Sequence, residues 1–294
     1  MHAVLRRSRL FIVAAVLTLI LAAGCTRVQL AYNTADFFIE RYANGYLALD
    51  SVQLAGWRPT LNETLNQHRN EELPYLAAFF DMAWRGVRDG LTEATVDCLF
   101  DRFEEIYGRH SLLAVDLATP LFANASPRQV RQLDERFRED AAKAERDRQR
   151  TERSADKRAE RYAESAAWWI GPLSAEQRRI VADVTARIPD TSGLWEPYRT
   201  TKQRELLRLM QGGAGEDEIR RFLHHWLVEY RDAPAELQQA AAGIRTGVAE
   251  LFLRLDATLS PAQRERFADR LKTFRDDFMK LQQRRPQMVP LHCA

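Results

Sequence analysis

LSPAQRERFADRLKTFRDDFMKL, residues 259–281, places Phe267, Leu271, Phe274, Phe278 and Leu281 alternately four and three residues apart. That spacing follows the 3.6-residue turn of an α-helix and gathers the apolar side chains into one seam. The rhythm recurs at Ile219, Phe222, Leu223, Trp226, Leu227 and Tyr230, and again at Val248, Leu251, Phe252 and Leu255. Period-two alternation bounded by turns, the mark of a half-buried strand, is absent. The expected fold is all-α, an elongated helical protein.

The phrase that opens this stretch recurs along the chain. Ala125-Ser126-Pro127-Arg128-Gln129, Leu173-Ser174-Ala175-Glu176-Gln177 and Leu259-Ser260-Pro261-Ala262-Gln263 share one pattern, with Leu49-Asp50-Ser51-Val52-Gln53 and Leu91-Thr92-Glu93 as looser relatives. It is the chemistry of a capping box. The hydroxyl of Ser126, Ser174 or Ser260 accepts from the amide three residues on, and Gln129, Gln177 or Gln263 reaches back to the cap amide. Pro127 and Pro261 fall at the first helical position, where a missing N–H costs nothing. Gly171-Pro172, Gly212-Gly213 and Pro286 mark stops.

From about Gln129 to Trp169 there is neither Gly nor Pro, and between Asp140 and Arg161 the only apolar residues are alanines. Acid and base are interleaved at helical spacing: Asp134 with Arg138, Glu139 with Lys143, Arg148 with Glu152. Each such pair stabilises an exposed helix by roughly 0.2–0.5 kcal/mol. Forty residues at about 1.5 Å each make a rod near 60 Å long. High charge and missing aromatics would also suit disorder, but mixed charge on good helix formers favours the rod. The expected organisation is a signal segment (1–24), an N-terminal helical lobe (25–125), a long charged helix (126–169), a C-terminal helical lobe (170–285) and a tail (286–294). The two lobes are linked by the charged helix or packed along it.

The first residues have their own logic. Arg6, Arg7 and Arg9 precede an apolar run, Leu10–Leu21, closed by Ala22, Ala23 and Gly24 before Cys25. This is the layout of an export signal, too short to span a bilayer comfortably. The small residues before Cys25 resemble a lipobox, although Leu21 stands at −4 and Ala22 at −3. Lipidation of Cys25 is expected, against an ordinary cleaved signal or an uncleaved anchor. Three acyl chains, at about 0.8 kcal/mol per buried methylene, hold a protein on a membrane essentially permanently. Thr26, rather than Asp, follows the cysteine. By resemblance to enterobacterial lipoproteins, that implies the outer membrane, facing the periplasm.

Two further cysteines remain. Cys98, beside Leu99 and Phe100, reads as a buried small hydrophobe, and Cys293 as part of a frayed tail; a periplasmic disulfide between them is the less favoured alternative. The whole chain has 43 Lys and Arg against 41 Asp and Glu, and loss of Arg6, Arg7 and Arg9 leaves 40 basic side chains. Near-neutral charge without a basic stripe argues against nucleic acid as a partner.

Three stretches together resemble a family of proteobacterial lipoproteins that is a domain of unknown function. They are Val28-Gln29-Leu30-Ala31-Tyr32-Asn33, His68-Arg69-Asn70-Glu71-Glu72-Leu73-Pro74-Tyr75, and Trp168-Trp169-Ile170-Gly171 with the Leu173–Gln177 cap. The resemblance implies a helical lipoprotein and brings no activity or catalytic residues. A weaker likeness, through the Leu-Ser-x-x-Gln caps, is to the shorter periplasmic stress chaperones of the Spy and CpxP type.

No catalytic constellation is recognisable. His224 and His225 are adjacent and point apart on a helix. His68 lies near Glu71 and Glu72, and His110 follows Glu104 and Glu105, but neither makes a zinc spacing. No nucleophile elbow, phosphate loop or dinucleotide fingerprint occurs. No catalytic residue, metal or cofactor is therefore expected. His68, Arg69, Glu71, Glu72 and Tyr75 are the best candidates for something specific. They read either as a helix interrupted at Pro74 or as a polar recognition patch beside Phe79, Phe80 and Trp84. The function these observations favour is a non-enzymatic outer-membrane lipoprotein that binds a periplasmic or outer-membrane protein, as adaptor or holding chaperone. A structural spacer is the alternative, and an enzyme with an unrecognised site comes third. Oligomeric state is left open.

Overall fold

The computed structural model describes residues 27–151 and 155–293. The signal segment, Cys25 and positions 152–154 of the charged helix lie outside the described residues. Among the described residues there are helices and no strand. The chain opens with α1 (Arg27–Asn33), α2 (Ala35–Leu47) and α3 (Ser51–Gln67). A wider π turn (His68–Glu72) leads from α3 directly into α4 (Leu73–Asp89), followed by α5 (Glu93–Ala123) and α6 (Pro127–Thr151). After position 154 come α7 (Ala155–Ile170), α8 (Ala175–Arg187), α9 (Ser192–Gln211), α10 (Glu216–Leu227), α11 (Ala235–Asp256) and α12 (Pro261–Leu281).

The helix starts fall where the capping phrases stand. Full boxes form at Ser174–Gln177, Ser260–Gln263 and Asp50–Gln53, and the Thr92 hydroxyl accepts from the Thr95 amide. At the start of α6, Gln129 Oε1 accepts from the Ser126 amide at 2.9 Å, and the Gln129 amide reaches the Ser126 hydroxyl at a looser 3.4 Å. The two glycine stops hold positive φ, 90° at Gly171 and 73° at Gly213, a backbone region that side-chain-bearing residues rarely adopt.

The box glutamines do more than cap. Gln177 Nε2 donates to Gln263 Oε1 at 2.9 Å and Gln263 Nε2 donates back to Gln177 Oε1 at 3.0 Å. Gln53 and Gln129 make the same reciprocal bond, at 3.1 and 2.6 Å. Each amide thus serves its own helix start and grips another. The α8 and α12 starts are joined in one pair, the α3 and α6 starts in the other. Gln177 and Gln263 also donate to the carbonyls of Thr258 and Pro172, so their amides are fully used.

Three apolar clusters form around these junctions. The first takes Leu47 and Leu49, Val115, Val130 and Leu133, then Leu206, Met210, Ile219 and Leu223. The second joins Ile170, Ile180, Val181, Val184, Leu251 and Leu255. The third is the seam of α4 and α12, Ala83 and Val87 against Ala268 and Leu271, with Trp169 and Phe267 bridging to the second. Helices α4 and α12 run antiparallel. Arg69 meets the Leu281 carbonyl at one end, Asp81 bonds Arg275 in the middle, and Arg264 reaches the Val87 carbonyl at the other.

This packing revises two sequence expectations. The lobes are not parted at the charged helix, because residues on both sides of it share the first cluster and the α4–α12 seam. An amphipathic stripe shows that a helix buries a face, not which helix covers it. The second revision is the disulfide: Cys98 is buried as expected, but its sulfur is bonded to Cys293, 195 residues away. The tail is not frayed. The Gln282 side chain binds the Gln287 amide and carbonyl at 2.8 and 3.0 Å, and the Val289 amide meets the Pro74 carbonyl at 3.4 Å. The tail is thereby laid back over α4, toward α5.

The charged segment is helical on both sides of 152–154. Leu133 and Phe137 dock its start on the first cluster, and Tyr162 and Trp169 dock its end on the second. Asp134 pairs with Arg138 as the spacing predicts, whereas Glu139 pairs with Arg136 and Arg148 with Glu145. The expected partner of Arg148, Glu152, lies outside the described residues.

Two outcomes follow for stability. Gln177→Glu keeps a competent capping residue but sets a carboxylate against Gln263 and loses a donor, so a loss of about 1–3 kcal/mol is expected in urea unfolding. A double-mutant cycle with Gln263→Ala should show coupling, and additive losses would refute the cross-pair. Reducing the disulfide, or Cys98→Ser, should cost about 2–4 kcal/mol, read as a lower urea midpoint; an unmoved midpoint would count against the bridge.

Candidate functional site

The stretch around His68 is an interrupted helix, and its cause is Pro74. A proline inside a helix offers no N–H, and its ring crowds the carbonyl four residues back, here that of Asn70. The chain widens by one residue: the Leu73 amide bonds the His68 carbonyl, five residues back, instead of that of Arg69. The π turn rotates the side chains of 68–72 relative to a regular helix, and such turns are frequent at functional positions.

His68 points inward and sits in a chain of hydrogen bonds whose direction can be deduced. The Ile106 carbonyl can only accept, so His110 Nδ1, at 2.7 Å, carries a proton. Neutral His110 then presents Nε2 as an acceptor, which takes the proton of His68 Nε2 at 2.9 Å. His68 Nδ1 is left to accept from the Tyr32 hydroxyl at 2.8 Å. With the rings neutral, every donor in this relay meets an acceptor. Burial, helped by His110 and Arg69, depresses His68 to about 4, and burial pushes Tyr32 up to about 12 against the pull of Arg69.

The neighbours are equally committed. Glu72 is 3% exposed and receives two bonds of 2.7 Å from Arg109, in fork-to-fork geometry. That bond chiefly raises the Arg109 pKa, and the guanidinium lies 4.0 Å from the Tyr75 ring centroid. Arg69 stacks over Tyr32, donates to the Leu281 carbonyl at 3.0 Å and reaches Asn33 at 3.3 Å. Glu71 faces solvent, held by Gln67 at 3.1 Å. His68, Arg69, Glu72 and Tyr75 therefore do not form an outward recognition patch. They are a junction at which α1, the π turn, α5 and the end of α12 meet. Tyr32, Arg109 and His110 complete it, and no spacing in the sequence brings positions 32, 68, 72 and 110 together.

A cleft with room for another molecule lies elsewhere. Between α4, α5, α7, α11 and α12 runs an apolar cleft of about 490 Å³. Phe79, Phe80 and Val87 line one wall, Leu99 and Phe103 a second, Val248, Leu251 and Phe252 a third, with Trp169 at the back. Its polar side chains include Ser165, Tyr162 and Asp256, and Asp256 is already bound by Arg264 at 2.8 Å and the Leu91 amide at 3.0 Å. Phe103 and Phe252 stay 54% and 42% exposed, marking the open side. Arg245 sits over Phe100 and pairs with Asp101 and Glu104 beside the opening. The stripes that supply these walls are legible in the sequence; the gap between them is not.

The remaining sequence candidates are structural. Ser126, Gln129, Ser174, Gln177, Ser260 and Gln263 are the helix starts described above, and Cys25 lies outside the described residues. His224 and His225 lie within 3.8 Å of Glu229 on the surface. Among the described residues, no group of three or more His, Cys, Asp or Glu side chains is spaced to hold a metal ion, and no helix is long and apolar enough to cross a membrane.

Fold and site define an all-α, disulfide-tied helical protein with a side-opening apolar cleft. Residues 45–231 match the Family of unknown function (DUF6279), and the chain belongs to that family. No curated protein and no solved structure matches the chain. The matched region ends before α11 and α12, which supply one wall and part of the floor of the cleft.

The junction sets a pH dependence. His68 titrates near 4 in the folded chain and near 6.5 unfolded, so as pH falls the unfolded chain takes up the proton first. The contribution is fully present above about pH 6.5 and is lost toward pH 4, by up to about 1.4 kcal/mol per pH unit. Glutamine reproduces the neutral ring's acceptor and donor without titrating. Urea midpoints between pH 7 and 5 should therefore fall less steeply in His68→Gln; parallel slopes would contradict the neutral relay.

Proposed function

We propose that this chain is a non-enzymatic lipoprotein of the bacterial outer membrane, anchored through Cys25, that acts as an adaptor by taking an apolar anchor of one partner protein into the cleft. The observation that carries the reading is the half-open apolar space flanked by Phe103 and Phe252. Apolar pockets of roughly 300–1,000 Å³ with few polar groups are typical binding sites, and grooves between amphipathic helices take the apolar face of a partner segment. The size favours a dedicated anchor over the broad concave surface a holding chaperone needs. The Leu-Ser-x-x-Gln phrases that resemble the Leu-Thr-x-x-Gln repeats of Spy and CpxP type proteins have a full local explanation here as caps and cross-pairs, so they add nothing to the chaperone reading.

The address rests on separate support. Disulfides persist in oxidising compartments such as the periplasm, and the Cys98–Cys293 bridge fits an exported chain. The n-region, apolar run and Cys25 supply the export logic, and Thr26 the outer-membrane preference. A spacer role draws on the charged helix, but a spacer has no use for a cleft.

Photo-crosslinking in living cells with a benzophenone side chain at position 103 tests the proposal. One sharp protein adduct is expected, and Val248→Trp, which fills the cleft, should abolish it while the chain stays folded by circular dichroism. A smear of envelope proteins would replace the adaptor with a chaperone. Lipid adducts alone, or none, would sink protein binding at this site.

A further inference from the structure

Helix α2 carries an apolar face that no other described residue covers. Phe37, Phe38 and Tyr42 are 61%, 60% and 68% exposed, and Leu30 on the preceding helix is 56% exposed. At 100° per residue, Phe37, Arg41, Gly45, Phe38 and Tyr42 fall within one arc of about 140°. A side chain at Gly45 would meet nothing within 4 Å, so the arc is open along the whole helix. The opposite arc holds Ala43, Tyr46 and Leu47, packed on the first apolar cluster. The acids of α2 stand off the exposed arc: Asp36 lies opposite, and Glu40 is turned to Arg58 in a two-pronged bond of 2.7 and 2.8 Å. Arg41 is thus the charge within the exposed arc. Solitary exposed aromatics are ordinary on a protein surface; three on a single helical arc are not.

We propose that this face of α2 lies in the interfacial layer of the membrane to which the chain is anchored, as a second membrane contact. The inference rests on the anchored reading of the N-terminus and deepens it. The position of the face selects a lipid surface as its occupant. The apolar run and Cys25 end two residues before α1, so Phe37 follows the anchor by roughly 20 Å of mostly helical chain. Whether Cys25 is lipidated or the apolar run is an uncleaved anchor, α2 is held beside the bilayer. Tyrosine favours the headgroup level, and phenylalanine serves on the buried face of interfacial helices. A helix with an apolar arc and a basic residue can lie with that arc sunk about 5–10 Å into the headgroup boundary, and Arg41 suits anionic lipid. The contact would fix how the body stands on the membrane, where a lone lipid tether leaves it free to swing.

The test uses the full lipidated chain in phosphatidylethanolamine–phosphatidylglycerol vesicles. Phe38→Cys and Tyr42→Cys carry a nitroxide label; the native pair Cys98–Cys293 is bonded, and Cys25 is capped by its lipid. Arg178→Cys, at an exposed position on the solvent side of α8, is the comparison. On adding vesicles, the ratio of oxygen to nickel-chelate collisions at 38 and 42 should rise several-fold while that at 178 stays fixed. Labels at 38 and 42 as wet as that at 178, in chains that float with the vesicles, would overturn the proposal and leave the anchor intact. Dipolar broadening between labels would assign the face to a second copy instead, and chains that fail to float would overturn anchor and proposal together.

Discussion

Two pairs of side-chain amides, Gln53 with Gln129 and Gln177 with Gln263, fix where helices begin relative to one another. A helix start carries unsatisfied N–H groups. A capping glutamine meets that need with one oxygen lone pair and keeps the other, with its NH₂, for a partner. Because the partner is another capping glutamine, two helix starts are locked at a single register. The positions of α8 and α12 set by this bond place the second and third clusters against each other, and the cleft opens where their walls diverge. Glutamate would cap as well but cannot donate, so the choice of glutamine is a tertiary requirement written into a local motif.

Buried carboxylates specify the remaining register. Glu72 with Arg109, Asp81 with Arg275 and Asp256 with Arg264 each set an acid less than a tenth exposed against a guanidinium. A buried pair contributes little net stability, yet leaving one partner alone is expensive. Such pairs penalise a helix that slides by one turn, where apolar seams of Leu, Phe and Ala would tolerate it. Helix α12 collects much of this specification. Gln29 bonds Asp277 at 2.8 Å, Arg69 bonds the Leu281 carbonyl, and Trp169 packs on Phe267 and Phe274. Residues 28–33, 68–75 and 168–171 thus converge on a helix outside the matched region 45–231.

The chain presents two distinct apolar surfaces. The cleft is enclosed on several sides and presents a few exposed rings at its edge, geometry suited to a discrete anchor. The α2 face is convex, open and continuous with the N-terminus, geometry suited to a layer. The junction at His68 lies between them: α1 and the π turn are tied to α5 and α12 through directional hydrogen bonds and a buried ion pair.

Much of this architecture is legible in the amino-acid sequence alone. Apolar spacing at 267–281 and 219–227 requires helix, and the Ser-x-x-Gln phrases mark helix starts, because both depend on residues within one or two turns of each other; the stripe's last member, Tyr230, falls beyond the helix end at positive φ. The charged run from Gln129 is helical wherever it is described, for the same local reason. What the sequence leaves undecided is non-local. Cys98 and Cys293 are 195 residues apart, and only the return of the tail over α4 brings them together. The apparent recognition patch at 68–75 turns inward because Tyr32, Arg109 and His110 arrive from other helices. The two expected lobes merge because an apolar stripe specifies burial but not its partner. Local hydrogen bonding and periodicity are fixed by neighbours along the chain; the cleft, the disulfide and the histidine relay exist only once distant helices have chosen each other.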